Sequence, residues 1–397
     1  MAKSGAARNY AHEEQYVPRH KPKTVRDVVN IYVGDIDYTL LFSVVFLTLF
    51  GIVMVFSSSY YAAAQSGSQF DFLVVQGGAG ILGFTAMLAV SSINYNFTKR
   101  FSFLLYAFSL ALLVLVLILG LASGGATRWL HVPGTSITFQ PSEITKIAVI
   151  VYIAHMISAH KSWLNSLFKT SVFAILVVIA AGLVVVENLS TALIIMIIGF
   201  GMIFIASPFT WTFVFAGISG AAGLVSYLMF FSDGFRGDRF QAWLDPFSVP
   251  EGTGYQILQS LYAIGSGGFF GLGLGQSRQK LDFLPEAHND MIFAIIAEET
   301  GLLGAGFVLF LFGVFLWRAI KIALSAPDLF GSLVASGIAI MIGAQVLINV
   351  GVVTNSIPNT GIPLPFISYG GTSLSITLAS VGLLLSISRY TNELKGE

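Results

Sequence analysis

The residues of this chain that could do chemistry gather in a few places, and the densest is Leu284-Pro-Glu-Ala-His-Asn-Asp290. Glu286, His288 and Asp290 lie there directly before a long apolar run that begins near residue 291. A carboxylate at such a boundary loses part of its hydration, which raises its pKa toward that of a useful general base. The i, i+2, i+4 spacing would also place all three side chains on one face of an extended segment. They could then act as a metal set, with Mg²⁺ or Mn²⁺ the divalent cation in question. The plainer alternative is an interfacial loop that solvates its charges. Glu298 and Glu299 follow inside the apolar run. Carboxylates at that depth are costly and face a bundle interior, either as packing partners or as site residues.

A second constellation is Arg128-Trp129 followed by Gln140-Pro-Ser-Glu-Ile-Thr-Lys146. Pro141 and Ser142 suit a helix start, and Glu143 with Lys146 at i, i+3 share a helix face. The pair is either self-neutralising or part of a cationic site for a pyrophosphate, with Arg128 as its planar clamp. Arg236, Arg239, Arg278 and Lys280 are further cations for that task. A third stretch, Asn355 to Ser373, has no charged residue but holds three prolines and three glycines. Non-helical backbone at membrane depth survives only where protein or a cavity buries it, so this loop is expected to re-enter and line a cavity. The glycines between Gly265 and Gly275 mimic a dinucleotide-binding spacing. Without a βαβ unit around them the match carries nothing.

The elements that position these residues follow from composition. Of 397 residues, 55% are hydrophobic and only 10% charged, against roughly a quarter charged in soluble proteins. Residues 38–70, 72–98, 101–127, 188–232 and 329–388 contain no Asp, Glu, Lys or Arg. A helix crosses the hydrocarbon core in about 20 residues, so each run holds one or two spans. The fold class is therefore all-α, a polytopic membrane bundle of about ten helices. The spans are expected near 38–58, 72–92, 101–122, 142–159, 170–186, 190–207, 211–231, 291–318, 330–353 and 369–388. No cysteine is present, which excludes thiol catalysis, disulfides and thiolate metal sites. The zero net charge averages a basic tail and polar loops, so it carries no message about nucleic acid, and no nucleic-acid partner is expected.

With the N-terminus inside, 14 of the 20 basic residues fall in inner segments, and the short outer loops hold only Arg128. That asymmetry satisfies the positive-inside rule and is expected to place both termini in the cytoplasm. Residues 1–36 are polar, lack a signal-peptide core, and are expected to form a disordered cytoplasmic tail that can touch anionic lipid. The membrane domain then covers 37–390, and a short tail covers 391–397. Residues 233–290 form a large extracytoplasmic loop between the seventh and eighth helices, with 11 of the 40 charged residues. A loop so long is expected to be ordered. Within it Ile257, Leu258, Leu261 and Ile264 recur at helical spacing opposite Gln256, Gln259 and Ser260, the pattern of a short helix lying in or dipping into the interface.

Taken together, these motifs resemble the SEDS family (shape, elongation, division and sporulation), which includes FtsW, RodA and SpoVE. Members show an outer Arg-Trp, then Gln-Pro-(Ser/Ala)-Glu-x-x-Lys. They also show Leu-Pro-Glu-x-His-x-Asp before a Gly-Glu-Glu-like stretch, and Pro-Leu-Pro-x-x-Ser-Tyr-Gly-Gly before the last helix. All appear here in order from residue 37 onward. Met54-Val-Phe-Ser-Ser, Pro285-Glu-Ala-His and Ser386-Ile-Ser-Arg-Tyr390 resemble the FtsW/SpoVE branch more than RodA. The chain departs at Glu187-Asn-Leu-Ser-Thr191, where many members read Pro-Asp-Leu-Gly-Thr, so no role is carried to that position. Asn289 also stands in place of a common Thr.

The resemblance implies a peptidoglycan glycosyltransferase that polymerises lipid II into β-1,4 glycan, with Asp290 as the essential acid and a class B penicillin-binding protein as partner. Other division or elongation membrane proteins and the surrounding lipid complete the implied partners. The candidate substrate-binding residues are Arg128, Glu143, Lys146, Arg236, Arg239, Lys280, Glu286, His288, Ser368 and Tyr369. A transporter that flips lipid II is the rival reading, and a non-catalytic division scaffold is a third. A flippase needs a polar path through both leaflets, whereas the candidates here cluster on the outer side.

Overall fold

The computed structural model describes residues 36–66, 70–123, 126–131, 138–186, 188–209, 212, 235–249 and 252–395. The sequence reading of a helical membrane bundle holds. Among the described residues nine helices are long and apolar enough to cross a membrane. They are α1 (Tyr38–Ser66), α2 (Asp71–Ser92), α3 (Asn96–Leu119), α4 (Pro141–Ala159), α5 (Leu167–Val185), α6 (Leu189–Ala206), α9 (Ile292–Ser325), α10 (Leu329–Val353) and α11 (Gly371–Lys395). The span expected at 211–231 and the tail 1–35 lie outside the described residues. Two shorter helices, α7 (Phe235–Leu244) and α8 (Thr253–Gly267), occupy the long loop before α9.

Local chemistry sets the helix ends. Pro141 opens α4, where its missing N–H is no loss. Asp328 caps α10 by accepting from the Gly331 N–H at 2.7 Å. At the departure from the family pattern, Asn188 caps α6 by accepting from the Thr191 N–H at 3.1 Å. Helix α10 is sheathed by α4, α6, α9 and α11, and its inward face is apolar save Gln345 and Asn349. At the end of the bundle away from Asp290, Arg318 pairs with Asp37 at 2.6 Å, and Arg389 Nη1 donates to the Ser91 carbonyl at 2.8 Å.

One feature was not expected of an all-α chain. The connection between α3 and α4 carries a small antiparallel sheet of β1 (Leu121–Ser123), β2 (Ala126–His131) and β3 (Thr138–Phe139). Its signal in the sequence is Gly124-Gly125, a hairpin pair, between the paired Ser123 and Ala126.

Two pieces of non-helical backbone enter the bundle. The loop after α10 turns down against α1, where a Cβ on Gly51 would stand 2.6 Å from the Ile367 Cα. Gly51 lies ten residues from the Tyr61 end of its span, so the loop tip sits about 15 Å inside it. The expected re-entry is thus observed, with Ile362, Leu364, Phe366 and Ile367 all buried. Helix α9 is itself interrupted at Gly301, whose φ is +68°. The glycine-rich chain after α8 docks into that break, Leu272 N–H donating to the Glu298 carbonyl and Leu302 N–H to the Gly268 carbonyl, each at 2.9 Å. A Cβ on Gly301 would lie 2.4 Å from the Gly271 nitrogen, so the glycines serve this close backbone approach.

Candidate active site

The three sequence motifs converge at one end of the bundle. Residues 286–291 do not form the extended segment that alternating ligands would need. Glu286 adopts a left-handed conformation at φ +55°, and the Asn289 N–H donates back to its carbonyl at 2.9 Å. The chain therefore turns, which separates the three side chains. Asn289 Nδ2 donates to the Glu286 carboxylate. The His288 ring packs edge-on to Phe72, with centroids 4.8 Å apart, and lies 5.6 Å from Tyr369. Among the described residues, no three His, Asp or Glu side chains are grouped as a metal set.

The acid turn is stitched to the re-entrant loop. Tyr369 N–H donates to the His288 carbonyl at 2.9 Å, and Ser368 Oγ donates to the Asn289 carbonyl at 2.7 Å. The same Ser368 oxygen accepts from the Leu364 N–H at 2.7 Å. From α2, Gln76 Nε2 donates to the Ser368 carbonyl at 3.0 Å while its Oε1 accepts from the Gly370 N–H at 3.1 Å. From α10, Asn349 Nδ2 donates to the carbonyls of Asp290 at 2.7 Å and Ile362 at 2.8 Å. From α8, Gln256 donates to the Pro285 carbonyl at 3.3 Å and accepts from Asn359 Nδ2 at 2.7 Å. The polar face foreseen on that helix thus bonds both loops. Gln76, Asn349 and Gln256 were not among the sequence candidates. The signal that would have found the first two is an amide inside an apolar span.

Asp290 stands at the centre. Its Oδ1 is shielded and has no hydrogen-bond partner. Burial raises the carboxyl from its ordinary value to about 7, and the negative charge of Glu286 pushes the same way. Its own backbone N–H and the guanidinium of Arg239 oppose the rise. Arg239, on α7, also donates through Nη1 to the Asn359 carbonyl at 3.3 Å. Burial lowers the pKa of His288, against the pull of Glu286, so the ring is neutral near pH 7. Burial also raises the phenol of Tyr369, with the charge of Asp71 adding to the rise.

The other candidates are dispersed around this centre. Glu143 and Lys146 form a buried ion pair at 2.9 Å, and Ser373 Oγ donates to Glu143 at 2.9 Å, which ties α4 to the start of α11. A cavity between Ser373, Tyr369, Gln345 and Thr377 opens beside that contact. Lys280 is committed elsewhere. Its ammonium is buried 2.8 Å from Glu299, with Ser57 of α1 at 3.0 Å. Glu298 accepts from Ser277 Oγ and from the Arg278 N–H at 3.0 Å. The two glutamates therefore face the interior as expected, fastening the hairpin that leads to Asp290. Arg128 falls in β2 and Arg236 in α7, and their side chains lie outside the described residues.

A helical bundle that holds a shielded, titratable acid under a re-entrant loop at one mouth defines a multi-pass membrane protein with an acid site at the end of its spans. The chain belongs to the cell cycle protein family of FtsW, RodA and SpoVE, whose family model matches residues 38–393. It is 42% identical over 360 residues to stage V sporulation protein E of Bacillus subtilis (strain 168), covering 89% of this chain and 97% of that one. It is 38% identical to the probable peptidoglycan glycosyltransferase FtsW of Geobacter sp. (strain M18), covering 89% of this chain and 96% of that one. Its fold matches a chain of a solved peptidoglycan synthase complex that coordinates polymerization and crosslinking. The TM-score is 0.74 at 28% identity, over 90% of this chain and 98% of that one. The rod shape determining protein RodA of Thermus thermophilus matches with a TM-score of 0.65 at 28% identity, over 89% and 97% of the two chains.

Proposed function

We propose that this protein is a peptidoglycan glycosyltransferase of the FtsW/SpoVE branch. It polymerises lipid II into β-1,4 glycan at the outer face of the bacterial cytoplasmic membrane, in cell division. The observation that carries the reading is Asp290, a shielded carboxylate with an unpartnered oxygen and a pKa raised to about 7. Near neutral pH such a group exists in both forms and can take a proton from an attacking sugar hydroxyl. As that oxygen bonds to the anomeric carbon, the bond to the lipid pyrophosphate breaks. The single displacement inverts the centre and releases undecaprenyl pyrophosphate.

Relief of the departing charge falls to cations at the same mouth. Arg239 faces Asp290 and is the first of them, and Arg128 and Arg236 complete the proposed pyrophosphate site. Lys146, already paired with Glu143, ties α4 to α11 rather than supplying free charge. Lys280, neutralised by Glu299, acts instead to hold the hairpin. The contacts made by Glu286 and His288 do not fit a cation caged by the protein, because Asn289 meets the one and Phe72 the other. A divalent ion enters in this reading as part of the substrate, on its phosphates.

Both termini are cytoplasmic in this proposal, which puts the Asp290 end outside. The resemblance to a complex that joins polymerization to crosslinking supports a class B penicillin-binding protein as partner. Clustering of the polar groups at one end supports a catalyst over a flippase, and a scaffold would have no use for a shielded acid. The test is polymerisation of lipid II by the purified full chain with its cognate transpeptidase, parent beside Asp290→Asn. Loss of a general base typically lowers the rate about 10²–10⁴-fold. An Asp290→Asn protein within a few-fold of the parent would remove the assignment.

A further inference from the structure

We propose that Asn349 is a positioning residue for Asp290, fixing the acid-bearing turn against the re-entrant loop through two hydrogen bonds from one amide group. The inference rests on the glycosyltransferase reading. Asn349 sits in the last turns of α10, within a helix that carries no ionisable residue, and it is 1% exposed. Its Nδ2 donates both hydrogens, to the carbonyl of Asp290 itself at 2.7 Å and to that of Ile362 at 2.8 Å. Ile362 directly follows Gly361, whose φ is +66° and where an added Cβ would lie 3.5 Å from Asp290 Oδ2. One amide thus sets both the height of the acid and the backbone wall beside its carboxylate.

The orientation of that amide is informative. Its Oδ1 is buried without a partner. An orphaned buried acceptor is destabilising, so the side chain is retained for its donors. No helix–helix contact explains it, because both recipients are loop carbonyls from segments 72 positions apart in the chain. The other ties between the two loops meet neighbours of Asp290. Ser368 bonds Asn289, Tyr369 bonds His288, and Gln256 bonds Pro285. Asn349 alone among the described residues grips the acid's own carbonyl with a side chain, from a rigid helix.

A positioning role makes a prediction that simple packing does not. With the two bonds removed, the turn loosens, water reaches the carboxylate, and both its placement and its burial change. The charged groups facing Asp290 are Glu286 from its own turn and Arg239 from α7, while α10 and residues 354–370 bring none. Any movement of its titration in an Asn349 variant therefore reports the turn itself or the new side chain at 349.

The experiment uses the full chain with its transpeptidase and purified lipid II, measuring kcat, KM and the pH dependence of kcat. Asn349→Leu should lower kcat roughly 10- to 100-fold, as misplacement of a reacting group by about 1 Å does. Its KM should stay within about twofold, and its acid limb should move to lower pH. Asn349→Asp, of nearly the same shape but without the two donor hydrogens, should lower kcat as well, with its limb above that of the leucine variant because the new side chain adds a like charge. It also covers the case in which the leucine variant fails to fold. Parent-like kcat and limb in both variants would overturn the proposal. So would activity loss that follows a fall in Tm while the limb stays in place. Asp290→Asn is run in parallel: if it is active, the underlying reading falls, and if it is inactive while the Asn349 variants are normal, this inference alone falls.

Discussion

The raised pKa of Asp290 gives the sharpest handle on mechanism, because its two charged neighbours act in opposite directions. A base works only when ionised, and burial holds this carboxyl protonated up to about pH 7. As the proposed base, Asp290 should therefore lose its contribution to the rate as pH falls through 7. One unit below that value about a tenth of the molecules carry the active form, and two units below about a hundredth. Glu286→Gln removes a like charge and should move the limb to lower pH, while Arg239→Gln removes an opposite charge and should move it to higher pH. Burial is the leading cause of the rise from 3.8 to about 7, and Glu286 ranks above Arg239 among the rest, so each displacement should be a fraction of that rise and the Glu286→Gln one the larger. The assay is the rate of glycan formation at saturating lipid II between pH 5 and 9, with parallel melting curves. The same desolvation destabilises the fold as pH rises from the free-acid value toward 7, so Asp290→Asn should melt no lower than the parent at pH 8. Three superimposable profiles, or a limb below pH 5, would refute the reasoning.

The Lys280–Glu299 pair is buried, so Lys280→Met alone should lower stability by about 3–5 kcal/mol, and adding Glu299→Gln should recover most of it. Melting of the two singles and the double decides, and a single variant as stable as the parent would sink the idea. Gly301→Ala must strain a φ of +68° and meet backbone at 2.4 Å, which costs about 1–3 kcal/mol or more, whereas Gly306→Ala meets nothing within 4 Å and should be neutral or stabilising. Equal melting temperatures for these two would contradict the docking of the glycine-rich chain into α9. A cysteine in place of the exposed Asp245 should react with a membrane-impermeant maleimide on intact spheroplasts, and one in place of the exposed Asn165 should not. Reversed labelling would overturn the orientation.

The spans were legible because lipid leaves a chain few choices. Apolar runs long enough to cross must close their own hydrogen bonds, and helices do so within the run. Re-entry of the loop before α11 was readable for the same reason, since uncharged backbone broken by Pro358, Pro363 and Pro365 has to be buried somewhere. The local form of the acid turn was not readable. Alternation of Glu286, His288 and Asp290 suggested an extended face, but Glu286 turns left-handed with no glycine to announce it. The ties from Gln76 to Ser368 and from Asn349 to Ile362 were equally hidden. Each amide stands in an apolar run, and its partner lies on a loop that only the fold brings near. Lys280 shows the same limit, for its task as an ion-pair partner depends on a hairpin that returns it to Glu299.

These contacts explain how a strained site survives inside a stable bundle. A carboxylate with a shielded, unpartnered oxygen costs free energy, as does a left-handed glutamate four positions before it. Neither feature serves packing, since an asparagine and a glycine would fit each position with less strain. They persist because the surroundings over-determine the turn. Asn349 holds it from α10, Ser368 and Tyr369 from the re-entrant loop, Gln256 from α8, and the Glu298–Glu299 network anchors the hairpin that leads into it. Loosening any one tie lets the acid regain water and fall back toward an ordinary carboxyl, which is a poor base at neutral pH. On this argument stability and activity are opposed at Asp290 and aligned at Asn349. Variants at the first should give up rate without giving up fold, and variants at the second should surrender some of both.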